Sequence, residues 1–100
     1  MKVYNMKSLK SGRAVPNQII LEQTWKQGET WLYVFESYGK KIALRERHGD
    51  AGWSTILDEN YWDYSKTTRR YLLQFLGDRS VSYVRRMIQS GKYELKDLNK

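Results

Sequence analysis

No cysteine occurs in the 100 residues, which excludes a disulfide framework and thiolate chemistry. Histidine is almost as scarce. His48 is the single one, in a Gly-flanked loop with Asp50. A lone loop histidine without a nucleophile beside it reads as a solvated side chain rather than a general base. No apolar run approaches the ~18 residues of a membrane span. The stretch Met1-Lys2-Val3-Tyr4-Asn5 lacks the apolar segment of a signal peptide. No membrane partner is therefore expected, and a cytoplasmic location is. Neither a Gly-rich phosphate loop nor an HExxH spacing is present. Asp58, Glu59 and Asp63 form an acidic cluster, but acids ahead of a helix are accounted for by its positive dipole end. The expectation is no enzyme, no catalytic residue, no metal and no cofactor. Proline occurs once, at Pro16, and biases Val15 towards an extended backbone.

What the chain has in quantity is aromatic and basic side chains. Four Trp and eight Tyr in a length that suits one small domain provide a compact core and leave aromatic surface for contacts. The net charge is +7, and its placement is uneven. Residues 1–21 carry Lys2, Lys7, Lys10 and Arg13 with no acid. Residues 22–64 hold five Lys/Arg against eight Asp/Glu, and residues 65–91 hold six against one. A basic arm and a basic helical part flank an acidic middle. Such a distribution steers polyanions or acidic protein surfaces to the two basic parts.

Secondary structure follows from periodicity and punctuation. Residues 1–16 read as a basic arm holding a short strand, Lys2 to Met6, and a polar loop. Residues 17–58 read as a β-meander. Its strands are 18–25, 30–38, 41–47 and 53–57, separated by turns too short for crossover helices. The segment 30–38 is apolar on both faces and belongs in the sheet centre. In 41–47, alternation places Ile42 and Leu44 inward and Arg45 and Arg47 outward. Residues 64–90 read as a helix pair. Ser65 caps the first helix and Gly77 stops it; Tyr64, Thr68, Tyr71, Leu72, Phe75 and Leu76 share one face. Asp78 or Ser80 caps the second, about 79–90, and Gly91 stops it. Residues 92–98 read as a final strand that returns to the sheet edge. The fold class is α+β: a small antiparallel meander of four to five short strands packed with two C-terminal helices.

Candidate binding residues lie on the basic parts. Lys66, Arg69, Arg70, Arg79, Ser82, Arg85 and Arg86 on the helices, with Lys10 and Arg13 in the arm, are candidates for contact with a protein partner, DNA or RNA. Ser65, Thr67 and Thr68, with the free N–H groups of the first helical turn, are candidates for an anion. Trp25, Trp31, Tyr33 and Trp53 are candidate aromatic anchors.

Two resemblances bear on function. The run Leu76-Gly77-Asp78-Arg79-Ser80-Val81-Ser82-Tyr83-Val84-Arg85-Arg86-Met87-Ile88, followed by Ser90-Gly91-Lys92, resembles the excisionase and MerR-type helix-turn-helix. That resemblance implies a second helix in the major groove, with Ser80, Ser82, Tyr83, Arg85 and Arg86 facing DNA, and a following strand as a wing. It covers about a quarter of the chain. A second, longer one rests on Tyr4-Asn5-Met6-Lys7-Ser8, Lys10-Ser11-Gly12-Arg13, Val15-Pro16-Asn17-Gln18, Phe35-Glu36-Ser37-Tyr38, Leu57-Asp58-Glu59, Trp62-Asp63-Tyr64-Ser65-Lys66-Thr67-Thr68 and Phe75-Leu76-Gly77. These pieces, with Gly91-Lys92-Tyr93 and Asp97-Leu98-Asn99, are similar to a family of small phage and prophage proteins of Gram-positive bacteria, a family without an assigned activity, so the resemblance implies no catalytic residues. The chain departs from that pattern over residues 18–34 and in its arginine-rich second helix. Small phage proteins often act on host machinery, including as inhibitors of CRISPR nucleases. By that analogy of size and origin, the chain is expected to dock a basic and aromatic surface on a CRISPR–Cas effector in the host cytoplasm. A DNA-binding phage regulator using residues 65–91 is the alternative.

Overall fold

The computed structural model describes residues 1–100, the side chain of Lys26 excepted. In chain order the elements are β1 (Lys2–Lys7), β2 (Ala14–Trp25), β3 (Thr30–Ser37), β4 (Lys40–His48), β5 (Trp53–Asp58), α1 (Lys66–Leu76), α2 (Val81–Gln89) and β6 (Tyr93–Lys96). The strands form one sheet in sequence order. β1 to β5 pair antiparallel, as short turns require, and β6 lies parallel to β5. Parallel neighbours need a long crossover, and the two helices supply it. This is the expected α+β arrangement, with the final strand back at the sheet edge.

The basic arm is better described as an edge strand. β1 runs along β2, and Met6 enters the core. β2 begins at Ala14, ahead of the expected residue 18, and so includes Pro16. The ladder tolerates this proline because the β1–β2 register breaks between Asn5 and Lys7, and pairing with β3 starts only at Gln18. Asn17 takes a φ of 67° in that irregularity. A residue without an N–H costs little where no ladder bond is due.

β4 corrects the expected orientation. Phe35 pairs with Ala43 but Glu36 pairs with Lys41, so Ile42 is an extra residue. Ala43 is fully buried, and Arg45 and Arg47 share its face. Arg45 reaches the carbonyl of Leu76 on α1. Leu44 lies on the opposite face, between Val34 and Ile56.

Both helices cover one face of the sheet. Ser65 is the N-cap of α1 and accepts from the Thr68 N–H at 3.0 Å. Gly77, with φ 73°, closes the other end as its N–H reaches Leu73 O at 2.8 Å. Left-handed backbone there suits glycine and few other residues. Thr68, Tyr71, Leu72 and Leu76 are buried, whereas Tyr64 is exposed. Ser80 caps α2, and Asp78 does a different job, described below. The Phe75 ring stacks on Phe35 at 5.7 Å between centroids, and Val84 of α2 is fully buried.

One core residue is out of keeping. Gln18 is fully buried and neither its amide nitrogen nor its amide oxygen has a partner. An amide withdrawn from water without hydrogen bonds is destabilising. Gln18→Met, nearly the same in volume, is expected to raise unfolding stability by about 1–2 kcal/mol in urea denaturation; a loss of stability would show that the amide is satisfied.

Candidate functional site

The basic residues of the helices do not form one ridge. Lys66 and Arg70 are exposed; Arg69 is half-buried and donates to Asp63 O at 2.9 Å. Arg85 Nη2 lies 3.5 Å from Asp63 Oδ2, and its guanidinium sits 5.6 Å from the Trp62 ring. It is thereby turned to the segment before α1, while Ser82 is exposed. Arg79 and Arg86 do come together: with Tyr83 and Asp78 they line an open cleft of ≈ 580 Å³. The wing expected after the second helix is instead β6, hydrogen-bonded into the sheet. The strand is there because it completes the crossover.

The hydroxyls at the start of α1 are mostly committed inside the protein. Thr68 is fully buried, and its Oγ1 lies 2.9 Å from Ser37 Oγ and 2.9 Å from Ser65 Oγ. Ser65 also caps the helix. Thr68 therefore cannot meet an anion; it fastens α1 to β3. Thr67 and Lys66 remain exposed.

Lys10 and Arg13 are exposed in the turn between β1 and β2. Ser8 Oγ accepts from Lys10 N at 3.2 Å, and Ser11 Oγ accepts from Arg13 N at 3.2 Å. Gln74 of α1 donates to Lys7 O at 2.8 Å, which holds the turn against the helix. Leu9 and Arg70 consequently line one shallow depression.

The most site-like feature centres on Arg45, which sequence reasoning had placed on the outer face. A pocket of ≈ 350 Å³ is lined by Tyr4, Ile20, Tyr33, Arg45, Trp53 and Phe75. The register explains how it forms. Tyr33 pairs with Arg45, and Arg47 lies between Trp31 and Trp53. Two adjoining rows on the helix-bearing face thus interleave arginine with aromatic rings. Trp31 stacks on Tyr33 at 6.2 Å, and Tyr33 meets Trp53 at 5.7 Å. The Arg45 guanidinium lies 5.5 Å from the Trp53 ring. Its Nη1 makes only a long contact, 3.4 Å, to Leu76 O, and its Nε is shielded from water with no partner. No carboxylate pairs with it among the described residues. Tyr4 donates to Glu22 at 3.1 Å. Burial, reinforced by Glu22, pushes the Tyr4 and Tyr33 phenols above their ordinary range, so both stay neutral donors. A guanidinium with unused donors between aromatic walls suits an acceptor, carboxylate, phosphate or carbonyl, carried on a flat or apolar group. His48 lies elsewhere, bound to Glu46 at 2.9 Å, and no nucleophile joins it.

Beside the pocket, Tyr93 of β6 donates to Asp78 Oδ2 at 2.7 Å. Burial first, and then this bond, hold the Tyr93 phenol well above its ordinary value of 10.0. A group whose folded value is raised stabilises the fold fully below its unfolded value and loses that contribution as pH rises beyond it. Unfolding stability is thus expected to fall as pH climbs past 10, and Tyr93→Phe should make that alkaline slope shallower in denaturation curves taken at graded pH.

Among the described residues no cluster of His, Cys, Asp and Glu is placed to hold a metal ion, and no helix is long and apolar enough to cross a membrane. The chain matches no protein-family model, no curated protein and no solved structure.

Proposed function

We propose that this chain is a docking protein of phage type that inhibits a host defence complex in the bacterial cytoplasm, with a CRISPR–Cas nuclease as the target class. The observation that carries the docking part is the aromatic-walled pocket around Arg45, continuous with the Trp31–Arg47–Trp53 row. Rigid aromatic rings beside an arginine with spare donors are the composition of an interface anchor. Trp53, 44% exposed, presents apolar surface at the rim of the pocket, whereas register turns Trp25 to the opposite face of the sheet. The exposed Lys66, Arg70, Arg79 and Arg86 supply long-range attraction to an acidic or nucleic-acid-bearing surface. The phage origin and the target class come from the sequence resemblance and from analogy.

The test is co-purification with candidate Cas effectors followed by target-DNA cleavage. Arg45→Met and Trp53→Ala are each expected to weaken inhibition by roughly tenfold or more. Arg45→Met should leave stability unchanged or raise it by up to about 1 kcal/mol, because it removes a shielded, unpartnered Nε. Full inhibition by both variants would overturn the assignment of the pocket, and no inhibition of any effector would overturn the target class.

A second reading, a DNA-binding accessory factor using residues 65–91, rests on the cleft that Arg79 and Arg86 share. Duplex binding that strengthens steeply as salt is lowered and is lost in Arg79→Ala and Arg86→Ala would favour it.

A further inference from the structure

We propose that the sheet face opposite the helices pairs two copies of this chain back to back. The inference is independent of the docking pocket, which lies on the other face. Register places Val3, Leu21, Val34, Leu44 and Ile56 in one unbroken row across five strands. Leu32 adds to the row's upper side, and with Leu21 and Val34 it lines a shallow depression. Val3 is 60% exposed and the others are half-buried. An antiparallel sheet that turns one face to water normally alternates apolar inward with polar outward. Here the outward face is aliphatic at its centre, and both helices are on the far side.

Charge identifies the occupant. The chain carries +7, and two copies would repel if they met through their basic parts. Lys66, Arg69, Arg70, Arg79, Arg85 and Arg86 all belong to the helical layer and its connecting turn. The open face instead carries Glu36, Glu46, His48 and Glu94 with Lys41 and Lys96; Lys96 is already paired with Glu94 at 3.5 Å and Glu46 with the exposed His48 at 2.9 Å. Two copies meeting there do so through their least basic surface.

The same charges are self-complementary. The Glu36–Lys41 pair flanks the aliphatic row on one side, and Glu46, opposite Leu32, flanks it on the other. The extra residue Ile42 makes the two flanks equidistant in register from the Val34–Leu44 pair. A two-fold axis along the row lays each β4 over the other in the opposite direction. Lys41 of each copy then meets Glu46 of the other. Isologous contact of this kind is the commonest basis of homodimers, and aligned stacking of two twisted sheets is a standard packing.

The area sets the strength. Five strands spaced by about 4.8 Å, each contributing about six residues, give a footprint of about 24 by about 20 Å. Two copies bury roughly 1,000 Å² or a little more, at the lower edge of stable interfaces. A reversible, concentration-dependent dimer is the consequence.

Analytical ultracentrifugation from ~1 to ~200 µM tests it. The parent chain should pass from monomer to dimer within that range. Glu46→Lys should weaken association by roughly tenfold, and Lys41→Glu with Glu46→Lys should restore it to within about threefold of the parent. Leu44→Glu should be monomeric throughout, with circular dichroism verifying its fold. If it fails to fold, the charge reversal, made at exposed or half-exposed positions, decides alone. Trp53→Ala should dimerise like the parent. A parent chain monomeric throughout, or association indifferent to Glu46→Lys, would overturn the proposal and would indicate that another protein covers this face.

Discussion

Asp58→Ala is expected to lower unfolding stability by about 4 kcal/mol, a large part of what a domain of this size possesses. The carboxylate is fully buried at the end of β5. Its Oδ2 accepts from the N–H groups of Asn60 at 3.1 Å and Tyr61 at 2.8 Å, and its Oδ1 accepts from Leu98 N at 2.7 Å. One side chain thus ties the turn leaving the sheet to the segment that follows β6. Hydrogen bonds to a charged acceptor are about twice as strong as neutral ones. Alanine removes all three and leaves three backbone donors in a partly buried place. A loss of this size corresponds to a fall of about 20 °C in Tm. Asp58→Asn keeps one acceptor oxygen and should lose roughly half as much. Thermal and urea denaturation of both variants checks this; a loss under about 1 kcal/mol for Asp58→Ala would mean that the turn and the tail hold together by other contacts.

Phe35→Ala should cost about 3–5 kcal/mol, through lost burial and the cavity left behind. Phe35 is fully buried in β3 and is flanked by Ile20 and Ala43 on the neighbouring strands. Its ring lies on that of Phe75, inclined at 29°. Neighbours on rigid strands cannot collapse into the space, which places the cost towards the upper end. Phe35→Leu retains most of the volume and should cost about 1–1.5 kcal/mol. The contact between the rings is separable: a double-mutant cycle with Phe75→Ala should give a coupling of about 0.5–1.5 kcal/mol. Zero coupling would mean that α1 is held by its other residues.

Some of this was readable from sequence and some was not, for definite reasons. Ser65 and Gly77 marked the ends of α1 because capping is local chemistry. The central place of β3 in the strand order was visible because its segment is β-branched, aromatic and nearly apolar on both faces, although the helices cover only one of them. The orientation of β4 was misread because one inserted residue, Ile42, reverses the alternation beyond it, and a shift of one residue moves every side chain to the other face. Thr68 looked available because hydroxyls in a first helical turn serve caps, cores and anions alike. Only the position of Ser37, 31 residues away in sequence, decides among these. The Arg45 pocket draws its walls from β1, β2, β3, β4, β5 and α1. The residues that form it become neighbours only through strand register, so no window of sequence contains it. The scattered fate of the helical arginines has the same origin, since Asp63 and Trp62 capture Arg85 from a different turn of the chain.

The parallel pairing of β6 has a consequence for the order in which the chain assembles. Each antiparallel neighbour from β1 to β5 is joined by a short turn, so those ladders close over small loops and zip quickly. The β5–β6 ladder closes only across both helices, a long loop whose entropy must be offset by docking of α1 and α2. Until then β5 is an open edge, with Thr55 to Asp58 unpaired on that side and Asp58 missing the donor from Leu98. The intermediate with that edge unpaired is the one most exposed to misassociation, and closure of β6 is the step that ends the risk.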